Sequence, residues 1–179
     1  MLNIYKYHDD REDLMVTDTS YSKFIQRQSY INGFFKRRWP SIEKYIIKNA
    51  ASSLKYAQDG IKGRWKEAEP VIAKNPGCAY TYACFVIKDR WEESEPVIMK
   101  DPEHAYLYAL HILANDSEWT SEKGHENGRW PEAEPYILKS STDAFNYALN
   151  IIKGRWVEAE PIMKDGAWWN MYKSTFKLD

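Results

Sequence analysis

The apolar positions of this chain repeat over a distance longer than any single short helix. Tryptophan recurs at Trp39, Trp65, Trp91, Trp130 and Trp156, at intervals of 26 residues except for the 39 that separate Trp91 from Trp130. A period of this size is the mark of a repeat architecture. The longer interval is one period with 13 residues added, at 116–128 (DSEWTSEKGHENG). A tyrosine and an alanine follow each Trp at fixed distance, as Tyr56 and Ala57, Tyr82 and Ala83, Tyr108 and Ala109, Tyr147 and Ala148. Tyr172 keeps the register if the last unit has lost one residue near Met163. In the second half of a unit the apolar residues Ala79, Tyr80, Tyr82, Ala83, Val86 and Ile87 share one broad face at helical spacing.

Polar residues mark where helices begin and end. The first helix of each unit starts just after the Trp, with Pro40 and Pro131 where a missing N–H costs nothing. Glu67, Glu69, Glu132 and Glu134 fall near its start and Lys48, Lys74, Lys100, Lys139 and Lys164 at its end, the order a helix dipole favours. Pro70, Pro96, Pro135 and Pro161 interrupt it and predict a bend. A second helix is announced by capping residues at Asn49, Asn75, Asp101, Ser140 and Asp165. It closes at Lys62, Lys88 and Lys153, and Gly63, Asp89, Asn115 and Gly154 beyond are expected to take the left-handed turn.

Helices this short are unstable alone and must bury their stripes against neighbouring units. The fold class is therefore all-α: an α-solenoid of about five 26-residue helix-turn-helix repeats with capping helices at both ends. Residues 1–19 read as an N-terminal arm and residues 20–179 as one domain. Tyr30, Phe34 and Phe35 outline a lone second helix at its start, and Trp168 and Trp169 close it at the other end.

Composition adds mainly exclusions. Aromatic residues make up 15% of the chain, with 8 Trp and 13 Tyr, which suits a packed core rather than disorder. The formal net charge of −1 gives no drive toward nucleic acid or anionic membrane, so any binding to DNA or RNA is expected to be weak and salt-sensitive. There is neither an apolar run long enough for a membrane span nor a secretory leader at the N-terminus, and the two cysteines suit reduced thiols, so a cytoplasmic setting is expected.

The residues that repeat invite chemistry but are better read as structure. Arg64, Arg90, Arg129 and Arg155 precede their Trp, and Glu69, Glu95, Glu134 and Glu160 follow it by four, so Arg is expected to pair with a Glu of its own or the next unit. What every unit carries serves what every unit does, which is stacking. His104, His111 and His125, with Trp119, are the residues from which a small-ligand or metal site at the insertion would be built, but their spacing is not that of a helical zinc motif. No Walker loop, dinucleotide-binding glycine motif or nucleophile elbow is present. No catalytic residue, metal or cofactor is therefore expected.

The remaining freedom lies in what varies. On the side of the second helix away from the stripe, Ser52, Lys55 and Asp59 in one unit correspond to Cys78, Thr81 and Phe85, to His104, Leu107 and His111, and to Asp143, Asn146 and Asn150. Stacking is not expected to constrain these positions. Phe85 and Leu107, expected to be exposed on adjacent units, with Thr81, His111, Asn146 and the insertion's Trp119, form the candidate partner-binding set.

The strings GRWPEAEPYILKS, GRWKEAEP and GRWVEAEP, with DPEHAYLYAL between them, resemble repeats of uncharacterised helical-repeat proteins of tailed bacteriophages and large DNA viruses, over about residues 30–172. The resemblance carries no activity. It implies a viral origin, expression in a host cytoplasm, and the role of an accessory protein that binds a host protein such as a defence or regulatory factor. The sequence thus leads to a non-enzymatic protein-protein interaction module. A helical repeat that reads nucleic acid and an enzyme or ligand site at the insertion stand as the alternatives, and no oligomeric state follows from the sequence.

Overall fold

In a computed structural model the described residues, 38, 40–164 and 167–178, form helices joined by turns and short irregular links, with no strand among them. Two compact units divide the chain, Met1–Ile72 and Ala73–Asp179. The N-terminal arm, the lone helix expected before Arg38, Trp39 and the Asp165 cap lie outside the described residues.

In the first unit, helices α1 (Pro40–Ile46) and α2 (Ala50–Tyr56) are joined by a turn and followed by the one-turn α3 (Glu69–Ile72). The second unit holds α4 (Pro76–Tyr82), α5 (Glu95–Ile98), α6 (Pro102–His111), α7 (Ser117–Ser121), α8 (Glu134–Ile137), α9 (Ser141–Tyr147), α10 (Glu160–Lys164) and α11 (Trp169–Phe176). The expected capping residues act as expected. Asn49, Asn75, Asp101 and Ser140 each accept a hydrogen bond from the backbone N–H three residues on, which satisfies a donor the helix start leaves open.

The prolines do not bend one helix; they fall at a change of helix type. A 3₁₀ turn, Lys66–Ala68, Glu92–Ser94 or Val157–Ala159, leads into the α turn that begins at the glutamate. Pro70, Pro96, Pro135 and Pro161 are each the second residue of that α turn, where no intrahelical N–H bond is needed.

The ends of the second helices also differ from expectation. In three units the helix widens into a π turn, Ala57–Ile61, Ala83–Ile87 or Ala148–Ile152, and the left-handed residue is the lysine itself: Lys62 (φ 58°), Lys88 (φ 61°) and Lys153 (φ 55°). The alanine that recurs after the tyrosine receives the closing bond, from Lys62, Lys88 and Lys153 N–H. Gly63 and Gly154 are not in the left-handed region. In the unit with the insertion, Asn127 (φ 58°) takes the lysine's place before Gly128, Arg129 and Trp130. The insertion therefore returns the chain to the same exit, and Lys153 Nζ donates to Asn127 Oδ1 at 2.8 Å across the next repeat.

Trp65, Trp91, Trp130 and Trp156 are buried, and Tyr56, Tyr82, Tyr108, Tyr147 and Tyr172 have no exposed surface. Each of the first four tyrosine rings rests on the Trp that opens the following repeat, at 5.1 Å for Tyr56 on Trp65, 5.1 Å for Tyr82 on Trp91, 5.5 Å for Tyr108 on Trp130 and 5.2 Å for Tyr147 on Trp156. Its hydroxyl does a second task. Trp91 N–H donates to Tyr108 Oη (2.8 Å), Trp130 N–H to Tyr147 Oη (2.6 Å) and Trp156 N–H to Tyr172 Oη (2.6 Å). A tyrosine is needed rather than phenylalanine because a buried backbone N–H without an acceptor is costly. Tyr172 keeps its role although no later Trp follows, and Phe176 meets its ring edge-on at 4.8 Å.

Candidate functional site

The recurring arginines and glutamates pair within their own unit. Arg Nε and Nη2 donate to the two oxygens of one carboxylate in each case: Arg38 to Glu43 (2.8 and 3.2 Å), Arg64 to Glu69 (2.6 and 3.2 Å), Arg90 to Glu95 (2.7 and 3.1 Å), Arg129 to Glu134 (2.6 and 3.2 Å), and Arg155 to Glu160. The tyrosine hydroxyl adds a third bond, donating to Glu43 from Tyr56, to Glu95 from Tyr108 and to Glu134 from Tyr147. Charge, planar fork and hydroxyl thus satisfy one another.

The hydrogen bonds from the Arg38 and Arg155 guanidinium groups hold the carboxyls of Glu43 and Glu160 below the usual carboxylate range, against the opposing effect of burial. A depressed folded-state pKa stabilises the fold above the unfolded carboxyl value of about 4.3, and this contribution is lost as pH falls through the folded value. The melting temperature is expected to drop as pH falls below about 4. Glu160→Gln should melt lower than the parent at neutral pH, and its deficit should shrink on acidification. A deficit independent of pH would show that the pair contributes packing and not charge.

The candidate partner-binding residues do not share one fate. Phe85, in the π turn after α4, is 65% exposed. His111 is exposed, with its Nδ1 2.7 Å from the Tyr80 hydroxyl. Thr81, Leu107 and Asn146 occupy the same step of three successive second helices and are half-buried. Leu107 is therefore not an exposed partner to Phe85, and the two do not make an open apolar pair.

Stacking does constrain the variable side. The residue two before the recurring tyrosine leans on the following repeat: Tyr80 on the rings of His104 (5.8 Å) and His111 (6.1 Å), Tyr106 as hydrogen-bond acceptor for Asn150 (3.0 Å), and Phe145 flat on Trp168 (5.3 Å). His104 also bonds Asp101 at 2.6 Å, and a Cβ added at Gly77 would lie 2.9 Å from its Nε2. Burial works against the Asp101 charge, yet the bonds from His104 hold its carboxyl below the ordinary value. Much of the variety between units is thus matching across a junction.

Trp119 is the clearest departure. Expected on a polar surface loop, it is buried. Asp116 caps α7 and sets the ring in place. One face of the indole carries the Arg90 guanidinium at 4.3 Å, the other the His125 ring at 4.1 Å and 7° from parallel, and Nε1 donates to the Arg129 carbonyl at 3.0 Å. The insertion is a fastened element of the fold, and Trp119 is not free to meet a partner. The polar composition of the segment hides this, but the Asp three residues before a lone Trp is the capping signal that could have shown it.

The histidines considered for a ligand or metal separate by contact. His104 and His111 face Tyr80, whereas His125 faces Trp119. No group of three or more His, Cys, Asp or Glu among the described residues could hold a metal ion. Burial pushes the thiols of Cys78 and Cys84 above their ordinary values, which disfavours the reactive thiolate. Among the described residues no helix is long and apolar enough to cross a membrane.

No family model, no curated protein and no solved structure matches this chain.

Proposed function

We propose that the chain is a non-enzymatic protein-interaction module. In this reading it is an α-solenoid of about five helix-turn-helix repeats, closed by capping helices, that binds a protein through side chains differing from unit to unit. One observation carries the reading: the chemistry-bearing residues that recur hold one another by their hydrogen-bonding edges, Arg with Glu, Glu with Tyr and Tyr with the Trp backbone, which leaves none of them as a free acid, base or nucleophile and leaves unit-specific recognition to the side chains that differ. Phe85 is the most exposed large apolar side chain among the described residues. The likeness of the repeat strings to those of phage and large-virus proteins supports a viral accessory protein acting on a host protein in the host cytoplasm.

The test is affinity capture from host lysate with the full chain, beside Phe85→Asp. An aspartate at this position stays solvated in the free chain but must lose water in a complex, which is costly. Capture of the same host protein should be abolished at unchanged melting temperature. Undiminished capture by the variant would remove Phe85 from the interface, and no specific host protein on the parent chain would sink the reading.

A further inference from the structure

We propose that the corner formed by Arg129 and Arg155 is a docking notch for a tryptophan side chain of a partner protein. The notch rests on the reading of the chain as a protein-binding module, but it does not use the second-helix side chains around Phe85.

The chain itself shows how such a notch is filled. At Arg90 the carboxylate of Glu95 holds Nε and Nη2, and Glu92 lies 3.6 Å from Nη1, so the guanidinium plane is fixed and one flat face is left for a ring. The Trp119 indole takes that face at 4.3 Å and donates its Nε1 proton to the carbonyl of Arg129, 3.0 Å away. Two groups define the seat: the guanidinium of one Arg-Trp corner and the backbone carbonyl of the next. A planar ring with an N–H at its edge satisfies both at once; of the two side chains that have one, indole and imidazole, the indole has the face that best attracts a cation, and it is the one seated at Arg90.

The same two groups recur one repeat later. Arg129 is held by Glu134 through the same two nitrogens, at 2.6 and 3.2 Å, and the next corner brings Arg155. The junctions are alike, because Tyr108 meets Trp130 at 5.5 Å and Tyr147 meets Trp156 at 5.2 Å. Among the described residues no ring covers Arg129, and the Arg155 carbonyl accepts no hydrogen bond. The Arg129 side chain is 38% exposed against 22% for Arg90, which carries its tryptophan. Glu158, an exposed residue of the next repeat, adds negative charge near Arg129.

The experiment is a titration of the isotopically labelled full chain with N-acetyl-tryptophanamide, followed by the arginine Nε–Hε resonances. The Arg129 resonance should shift upfield from the ring current in proportion to occupancy, with half-saturation on the order of tens of millimolar for one exposed contact. N-acetyl-leucinamide should leave it unmoved. The Arg90 resonance should be silent in the parent chain and should respond in Trp119→Ala, where the first notch is emptied. An Arg129 resonance that ignores the indole, or that moves equally with the leucine compound, overturns the proposal. Should Trp119→Ala fail to fold, the parent chain alone decides the matter. Because the ligand is a small molecule, a negative result removes the notch while leaving the capture experiment on Phe85 to judge the wider reading.

Discussion

Trp91→Ala is expected to cost about 3–5 kcal/mol of folding stability, the range for truncating a buried aromatic. Trp91 is 2% exposed, so nearly all of its surface is lost from the core at once. Its ring is the platform on which Tyr82 rests at 5.1 Å, and its backbone anchors two further bonds, N–H to Tyr108 Oη at 2.8 Å and C=O from Ser94 Oγ at 2.8 Å. The alanine variant keeps the backbone groups but leaves a cavity beside Tyr82, a ring already dry on its other sides, so collapse of the site is limited. Chemical denaturation of parent and variant measures the difference. A loss below about 1 kcal/mol would mean that the site relaxes fully or that the recurring Trp does not hold adjacent repeats together.

That expectation was legible in the spacing alone, because a side chain that recurs every 26 residues beside a recurring tyrosine has to serve the junction between units. The caps at Asn49, Asn75, Asp101 and Ser140, and the Arg and Glu pairs, were legible for the same reason: both partners lie within five residues of each other in the sequence. What the sequence concealed depends on distant or non-repeating partners. Trp119 finds Arg90, 29 residues before it, and no periodicity announces that contact. A helical wheel puts Leu107 outside because it treats the helix as packed on one stripe, whereas the side away from that stripe also meets the following repeat, as the contacts of Tyr80 with His104 and His111 and of Tyr106 with Asn150 show. The left-handed lysines were hidden by a sound preference for glycine: Gly63 and Gly154 stand next in line, yet the bond to the recurring alanine fixes the reversal one residue earlier.

Gly128→Ala is the second large effect, and the insertion supplies its control. Gly128 sits at φ +82°, where an L-residue is strained, and a Cβ there would lie 2.4 Å from Ala114 N and 2.5 Å from Ala109 O. Both are backbone atoms and cannot swing aside. Gly124, four residues earlier, has a similar φ of +95° but nothing within 4 Å of its Cβ position. Gly124→Ala should therefore show the backbone strain alone, about 1–2 kcal/mol, while Gly128→Ala adds overpacking of about 1–3 kcal/mol. The extra loss should also be local. Moving Gly128 displaces Arg129, whose carbonyl holds the Trp119 indole, so Trp119 should become accessible to a quencher in Gly128→Ala and stay shielded in Gly124→Ala. Thermal melts together with iodide quenching, compared with Trp119→Phe to isolate that fluorophore, make the measurement. Equal destabilisation by the two substitutions would show that the insertion shifts freely against the end of α6, and that the close approach of Gly128 to Ala109 and Ala114 is not what seats it.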